Sequence, residues 1–366
     1  MNLRRLSTSL LAFGLATAAA VAADWTSGMS QGKPGLKSIG PLAFGPDGIL
    51  FAGDTKGASI FAIATGDTTA GPGAKTFKVE AINEKIAGLI GATTNETLIN
   101  DISVNPISHS VYVAVSRGRG PDAVPVLVRV KSDGKPEVVS LEKVKFSQAQ
   151  LPDAPNDDPT QRGGSQRLQS ITDIAFFQDH VLIAGLSNEE FGSTFREITF
   201  PFKTVDNGTT VEIYHGSHGQ FETKAPIRTF VPFNIGNEPQ LLAAYTCTPL
   251  VQFPIRDIKP GAKVKGKTIA ELGNHNRPID MIVYQKEGKD YLLLANQARG
   301  VMKMATDQIR NLEPITSPVS ETKGLPYETL KDWTGVLHLD EFDAERALVL
   351  RSAPGGATSL EALPLP

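Results

Sequence analysis

Disulfides, an excess of either charge and long apolar runs are all missing from most of this chain. One cysteine, Cys247, stands among 366 residues. No intrachain disulfide can form, so packing alone must stabilise the fold. Lys and Arg number 36 against 39 Asp and Glu, a formal net charge of −3 with both signs interspersed. That balance excludes the basic face of a nucleic-acid binder and an electrostatic membrane surface. Beyond the first two dozen residues no segment is long and apolar enough to cross a bilayer as a helix. There is no Gly-x-Ser-x-Gly, Walker loop, Cys-x-x-Cys-His haem site or EF-hand spacing. The activities that depend on those motifs have no footing here.

The first residues carry an address. Met1-Asn2-Leu3-Arg4-Arg5 is a short basic region, an apolar run follows from about Leu10 to Val21, and Ala20-Val21-Ala22-Ala23 supplies small residues before Asp24. This pattern predicts a signal peptide over 1–23, cleaved after Ala22 or Ala23, and a periplasmic or secreted mature chain over 24–366. No cysteine stands at the cleavage site, which argues against a lipid anchor.

What the chain has in quantity is turn residues, with 34 Gly and 25 Pro, and a repeat. Six times a β-rich run is followed by a tight turn, a second run rich in small and apolar residues, another short turn and a third run. The second runs end at 52, 114, 184, 244, 295 and 350. Propeller blades need roughly 40–50 residues in compact families, so these longer intervals place extra residues in loops. The spacing predicts an all-β, six-bladed β-propeller over 24–366 as a single domain. The rival is a seven-bladed ring with a further blade between 200 and 235. Fourth strands fit at 76–81, 137–141 and 210–214. A helix fits where Ile82, Ile86, Leu89 and Ile90 share one face. The stretch 151–170, rich in Pro, Asp and Gly, reads as a long exposed loop.

The stretch from Gly40 to Asp54 (Gly40-Pro41-Leu42-Ala43-Phe44-Gly45-Pro46-Asp47-Gly48-Ile49-Leu50-Phe51-Ala52-Gly53-Asp54) resembles the blade signature of NHL-type and gluconolactonase-type propellers. The resemblance covers one blade. It implies a propeller with a ligand or protein site on one face, and in the gluconolactonase-like case a channel cation held by Glu, Asn and Asp ligands.

Two rings of aligned positions are candidates for chemistry. At the start of each innermost strand stand Pro41, Asp101, Asp173, Thr229, Asp280 and Gly335. Asp101, Asp173 and Asp280 converging on a channel suit a hard cation such as Ca2+. The same residues are equally placed to accept backbone N–H groups from a neighbouring blade. The second ring, in the turns between second and third strands, contributes Asp54, Arg117, Asn188, Glu189, Cys247 and Arg299, with His275 on a nearby loop. Its mixed charge suits a small polar or anionic ligand, with Arg as a bidentate donor. Cys247 and His275 form a candidate soft-metal or nucleophile pair. His215-Gly216-Ser217-His218 lies on a glycine-bearing turn and reads as surface histidines.

Three functions remain open on sequence. The first is an exported, monomeric propeller that binds a small polar molecule or an exported partner protein at one face of the channel. The second is a cation-dependent lactone or ester hydrolase, with Asp101, Asp173 and Asp280 around one ion. The third is a copper-handling or redox protein using Cys247 and His275.

Overall fold

The computed structural model describes residues 24–71, 76–158 and 165–366. The signal peptide expected over 1–23 lies outside the described residues. No described helix is long and apolar enough to cross a membrane.

Six sheets make six blades, as the repeat predicts. Numbered in chain order, their consecutive inner strands are Leu42–Phe44, Ile49–Asp54 and Ser59–Ala64 in blade 1, and Thr97–Val104, Val111–Arg117 and Val124–Val130 in blade 2. Blade 3 has Asp173–Phe177, His180–Leu186 and Ser193–Thr199, and blade 4 has Ile227–Ile235, Glu238–Tyr245 and Cys247–Pro254. Blade 5 has Pro278–Lys286, Lys289–Asn296 and Gly300–Ala305, and blade 6 has Val336–Asp343, Arg346–Ser352 and Thr358–Pro364. The helix spans Ile82–Ile90, with Ile82 and Ile86 buried. Residues 200–235 form outer strands of blade 3 and the first strand of blade 4, so the described residues hold no seventh blade.

The hairpins follow from local chemistry. Lys286 pairs with Lys289 across Glu287-Gly288, and both turn residues have positive φ, 52° and 74°. A two-residue turn of this kind matches the twist of the strands it joins. The second strands are apolar on both faces because each is sandwiched between neighbouring blades. Ile49, Leu50, Phe51 and Ala52, like Leu292, Leu293, Leu294 and Ala295, are fully buried. The core is therefore a set of clusters between blades rather than one central mass.

Those clusters give an order around the ring that differs from the order along the chain. Blade 1 packs against blade 2 through Leu50, Tyr112 and Leu127, and against blade 3 through Phe51, Ile183 and Phe200. Blade 2 packs against blade 6 through Val113, Phe342 and Leu348. Blade 1 thus lies between blades 2 and 3. The chain leaves blade 1 and adds Lys78–Val79 to the outer edge of blade 6 (Leu360 pairs with Val79) before it builds blade 2. It then returns to blade 1, where Val144–Gln150 pairs with Ser59–Ala64 along six residue pairs. The strand expected at 76–81 exists, but it closes blade 6 instead of blade 1. The other two expected fourth strands, Pro136–Val138 and Thr209–His215, stay in their own blades.

The stretch 151–170 departs from expectation. Among its described residues Leu151, Asp153, Ala154, Ser165 and Ser170 are buried. The segment runs from the outer edge of blade 1 to the inner strand of blade 3, and Leu151 and Ala154 join the cluster between those blades. Asp153 forms an ion pair with Arg196 at 2.6 Å, with side chains 5% and 1% exposed. Removing one member leaves an uncompensated buried charge. Asp153→Ala is expected to destabilise the protein by about 3–5 kcal/mol in denaturant unfolding. The double variant Asp153→Ala/Arg196→Leu is expected to lose less than the single one. An equal or greater loss in the double variant would contradict this account.

Candidate functional site

The six innermost strands surround a cavity of about 600 Å³. Its wall runs from Asp101, Asp173 and Asp280 along the strands to the first hairpin turns at Pro106, His109 and Ala344. Four of these strands carry a register irregularity at the same level, between Ile99 and Asp101, Ile227 and Thr229, Pro278 and Met281, and Val336 and His338. A bulge re-aims the side chain beside it. Here the irregularities sit next to Asp101, Asp280 and His338.

The aspartates share one pattern of contacts. Asp101 accepts the N–H of Ile102 and, across the blade boundary, that of Leu42 at 2.7 Å. Asp173 does the same with Ile174 and with Phe230 of blade 4, both at 2.8 Å. Asp280 accepts Leu339 N–H of blade 6 at 2.8 Å. A fourth aspartate, Asp340, accepts Glu341 N–H and reaches Val104 of blade 2 at 2.7 Å. Each carboxylate therefore ties its inner strand to the next one while its edge faces the channel.

Asp101 and Asp280 also converge on a histidine. His338 Nδ1 lies 3.0 Å from Asp280 Oδ2 and 3.4 Å from Asp101 Oδ1. The three ligand atoms lie within 4.8 Å of one another, and Asp173 is not among them. The sequence pattern identified two members of this group and missed His338, because the bulge at Val336/His338 displaces it from the aligned position that Gly335 occupies.

Burial dominates the electrostatics. It pushes Asp101 well above the usual carboxyl range, and the Asp280 charge adds to this while His338 and the Leu42 N–H oppose it. Burial likewise takes Asp173 and Asp340 to about 7, against the pull of their backbone hydrogen bonds. For His338 burial acts downward, but the charge and hydrogen bond of Asp280 outweigh it and the net shift is upward. The channel wall also carries Glu341 and Asp343, and among the described residues its lining includes no Lys or Arg, although Arg228 lies near enough to interact with the Asp173 charge.

None of Asp54, Arg117, Asn188, Glu189, Cys247, His275 or Arg299 lines the channel. Asp54 is buried and accepts the N–H groups of Lys37, Ser38 and Gly57, which makes it a turn anchor. Arg117, Asn188, Glu189 and His275 are exposed. Arg299 donates to the Asn274 carbonyl and lines a rim cavity of about 330 Å³ with Asn296 and Trp333. A second rim cavity of about 350 Å³ lies beside Ser38 and Arg119. Cys247 is half-buried, and the imidazoles that converge on it are His215 and His218 rather than His275.

No family model matches the chain, and neither does any curated protein. Among solved structures it is similar to a putative oxidoreductase (glucose dehydrogenase) from Thermus thermophilus, at 14% identity over 92% of this chain and all of that one, with a TM-score of 0.39. It is also similar to the PQQ-bound aldose sugar dehydrogenase of Streptomyces coelicolor, at 12% identity over 92% and 96% of the two chains, TM-score 0.34. Drosophila Plexin A, solved with Semaphorin 1b, matches at 10% identity over 92% and 87%, TM-score 0.40. Likeness at this level transfers no activity. The gluconolactonase-type resemblance of residues 40–54 gains no support from these matches.

The shifted groups set a pH dependence. A carboxyl whose pKa is higher folded than unfolded contributes stability that is fully present below its unfolded value and lost as pH rises through the folded one. For Asp173 and Asp340 that loss runs up to and through about 7. His338 is raised as well, so its contribution is also lost with rising pH. The melting temperature is expected to fall between pH 5 and pH 8, and Asp173→Asn is expected to flatten the slope. A melting temperature that rises over that interval would refute the burial of these charges.

Proposed function

We propose that the protein is an exported binding propeller that takes a small organic cation, an amine with an apolar body, into its central channel. The observation that carries this reading is the polarity of the channel wall. Asp101, Asp173 and Asp280 stand at the level of His338, with Asp340 two residues further along its strand, while Phe44, Phe176, Pro232, Val283 and Phe342 lie along the strands toward the hairpin turns. The wall is mixed, polar at the carboxylate level and apolar toward the hairpin turns, and small-ligand pockets combine an apolar lining with a few convergent polar groups. An ammonium group at the carboxylate level would replace the water that burial removes, and the apolar wall would cover the rest of the ligand. Because Asp173 and Asp340 hold protons up to about 7, and Asp101 is raised as well, a cation entering the channel displaces protons, so binding tightens as pH rises.

Cation-assisted hydrolysis is the second reading, favoured by the convergence of Asp101, Asp280 and His338 within 4.8 Å. An imidazole in place of a third carboxylate suits a transition metal better than Ca2+.

Titration calorimetry with primary and quaternary amines, matched carboxylates and neutral sugars separates these readings. Amines alone are expected to bind, more tightly at pH 8 than at pH 6. Asp280→Asn is expected to weaken them about tenfold, roughly 1.4 kcal/mol. Equal binding of the carboxylates would refute the cation reading. A stoichiometric metal whose removal abolishes ester hydrolysis would establish the second.

A further inference from the structure

We propose that His215, His218 and Cys247 bind one borderline or soft transition-metal ion, of the zinc or copper class, at the junction of blades 3 and 4. The blade 3 strand Thr209–His215 ends in His215, and the turn over 216–219 folds His218 back over it, with ring centroids 3.8 Å apart. Cys247 begins the third strand of the neighbouring blade. One ring nitrogen of each histidine and the cysteine Sγ all lie within 4.8 Å of one another. Tetrahedral ligands at Zn–N of about 2.1 Å and Zn–S of about 2.3 Å stand roughly 3.3–3.6 Å apart. Small side-chain rotations close the set.

Glu222 prepares the two imidazoles. Its Oε2 accepts from His215 Nδ1 at 2.9 Å and its Oε1 from His218 Nδ1 at 2.5 Å. An ionised carboxylate only accepts, so both Nδ1 atoms carry a proton, and in the neutral imidazoles each Nε2 then offers a lone pair. Ser217 Oγ, 3.0 Å from His215 Nε2, fits as the donor to that lone pair. A carboxylate behind Nδ1 is the support that metal-ligating histidines use. The site is anchored on one side and reachable on the other, since the His215 side chain is 3% exposed and that of His218 48%.

A second charge points the same way. Glu271 is buried, and its Oε1 accepts the Gly216 N–H at 2.7 Å. Its Oε2 is buried with no hydrogen-bond partner among the described residues. A buried carboxylate oxygen without a partner is costly, and a cation held by the adjacent turn offsets that cost. The approach is so close that a Cβ at position 216 would stand 2.9 Å from Oε1, which reserves the position for glycine.

The contacts Ser217–His215–Glu222 also have the form of a serine nucleophile with its base and orienting acid. Two facts favour the metal. Among the described residues, Ser217 lines neither the channel nor the rim cavities that could hold an acyl substrate, whereas an ion needs no cavity. The relay would also leave His218 and Cys247 without a role.

The test is titration of the reduced, metal-free protein with Co2+, then Zn2+. One equivalent of Co2+ is expected to bind with a thiolate-to-cobalt charge-transfer band, which Zn2+ then removes. The thiol loses its proton on ligation, so proton release accompanies binding. His218→Ala, at an exposed position, is expected to keep the native circular dichroism and lose the band. Glu222→Gln is expected to weaken affinity about 10–100-fold, and His180→Ala to leave it unchanged. Absence of a thiolate band, or undiminished binding in both His218→Ala and Cys247→Ser, would overturn the proposal. Labelling of Ser217 by a fluorophosphonate in a protein that binds no metal would also overturn it and assign the relay to nucleophilic catalysis. The Asp101–Asp280–His338 group contains no thiol, so the band cannot arise in the channel.

Discussion

The hydrogen bonds that Val144–Gln150 makes to Ser59–Ala64, and that Lys78–Val79 makes to Thr358–Pro364, complete blades 1 and 6 with strands from distant parts of the chain. With one cysteine in the chain there is no covalent staple to do this. Each pairing joins segments far apart in sequence, and the two interlock because the segment that closes blade 6 precedes blade 2 while the segment that closes blade 1 follows it. The clusters between blades 1 and 2 and between blades 2 and 6 both draw on these added strands, through Val144, Phe146 and Val79.

The channel carboxylates serve that closure and the chemistry at once. Asp101, Asp173, Asp280 and Asp340 each accept a backbone N–H from the adjoining blade, which satisfies donors that the irregular inner strands leave open. The price is a crowd of acids around the channel, and a raised affinity for protons at Asp101, Asp173 and Asp340 follows. Structural and functional accounts of these residues are therefore not rivals. The same burial that makes a carboxylate a useful tie disfavours its charged form.

Much of this was legible in the sequence, for reasons that are local. Runs such as 49–52 and 292–295 are apolar on both faces, and turns such as Glu287-Gly288 specify the hairpins. Ile82 and Ile86 mark the helix. Asp101, Asp173 and Asp280 stand out as repeated acids before apolar residues. What stayed hidden depends on partners supplied from elsewhere. The strand at 76–81 announces itself, but nothing near it says that its partner is Leu360 and its neighbour. His338 is displaced from its aligned position by a bulge. The pair His215 and His218 looks like a polar surface turn until Glu222 and the Cys247 of another blade are placed around it. The stretch 151–170 is polar in composition, yet Asp153 is buried because Arg196 is there to meet it.

The interlocked blade order has a kinetic side. Non-local pairing is slow because chain entropy is lost before the contacts form. Blade 1 stays a three-stranded sheet until blade 2 has been made, and Lys78–Val79 has no partner until Thr358–Pro364 is available some 280 residues later. A chain emerging from one end therefore presents open sheet edges for most of its synthesis, which is the state most prone to aggregation and to capture by chaperones.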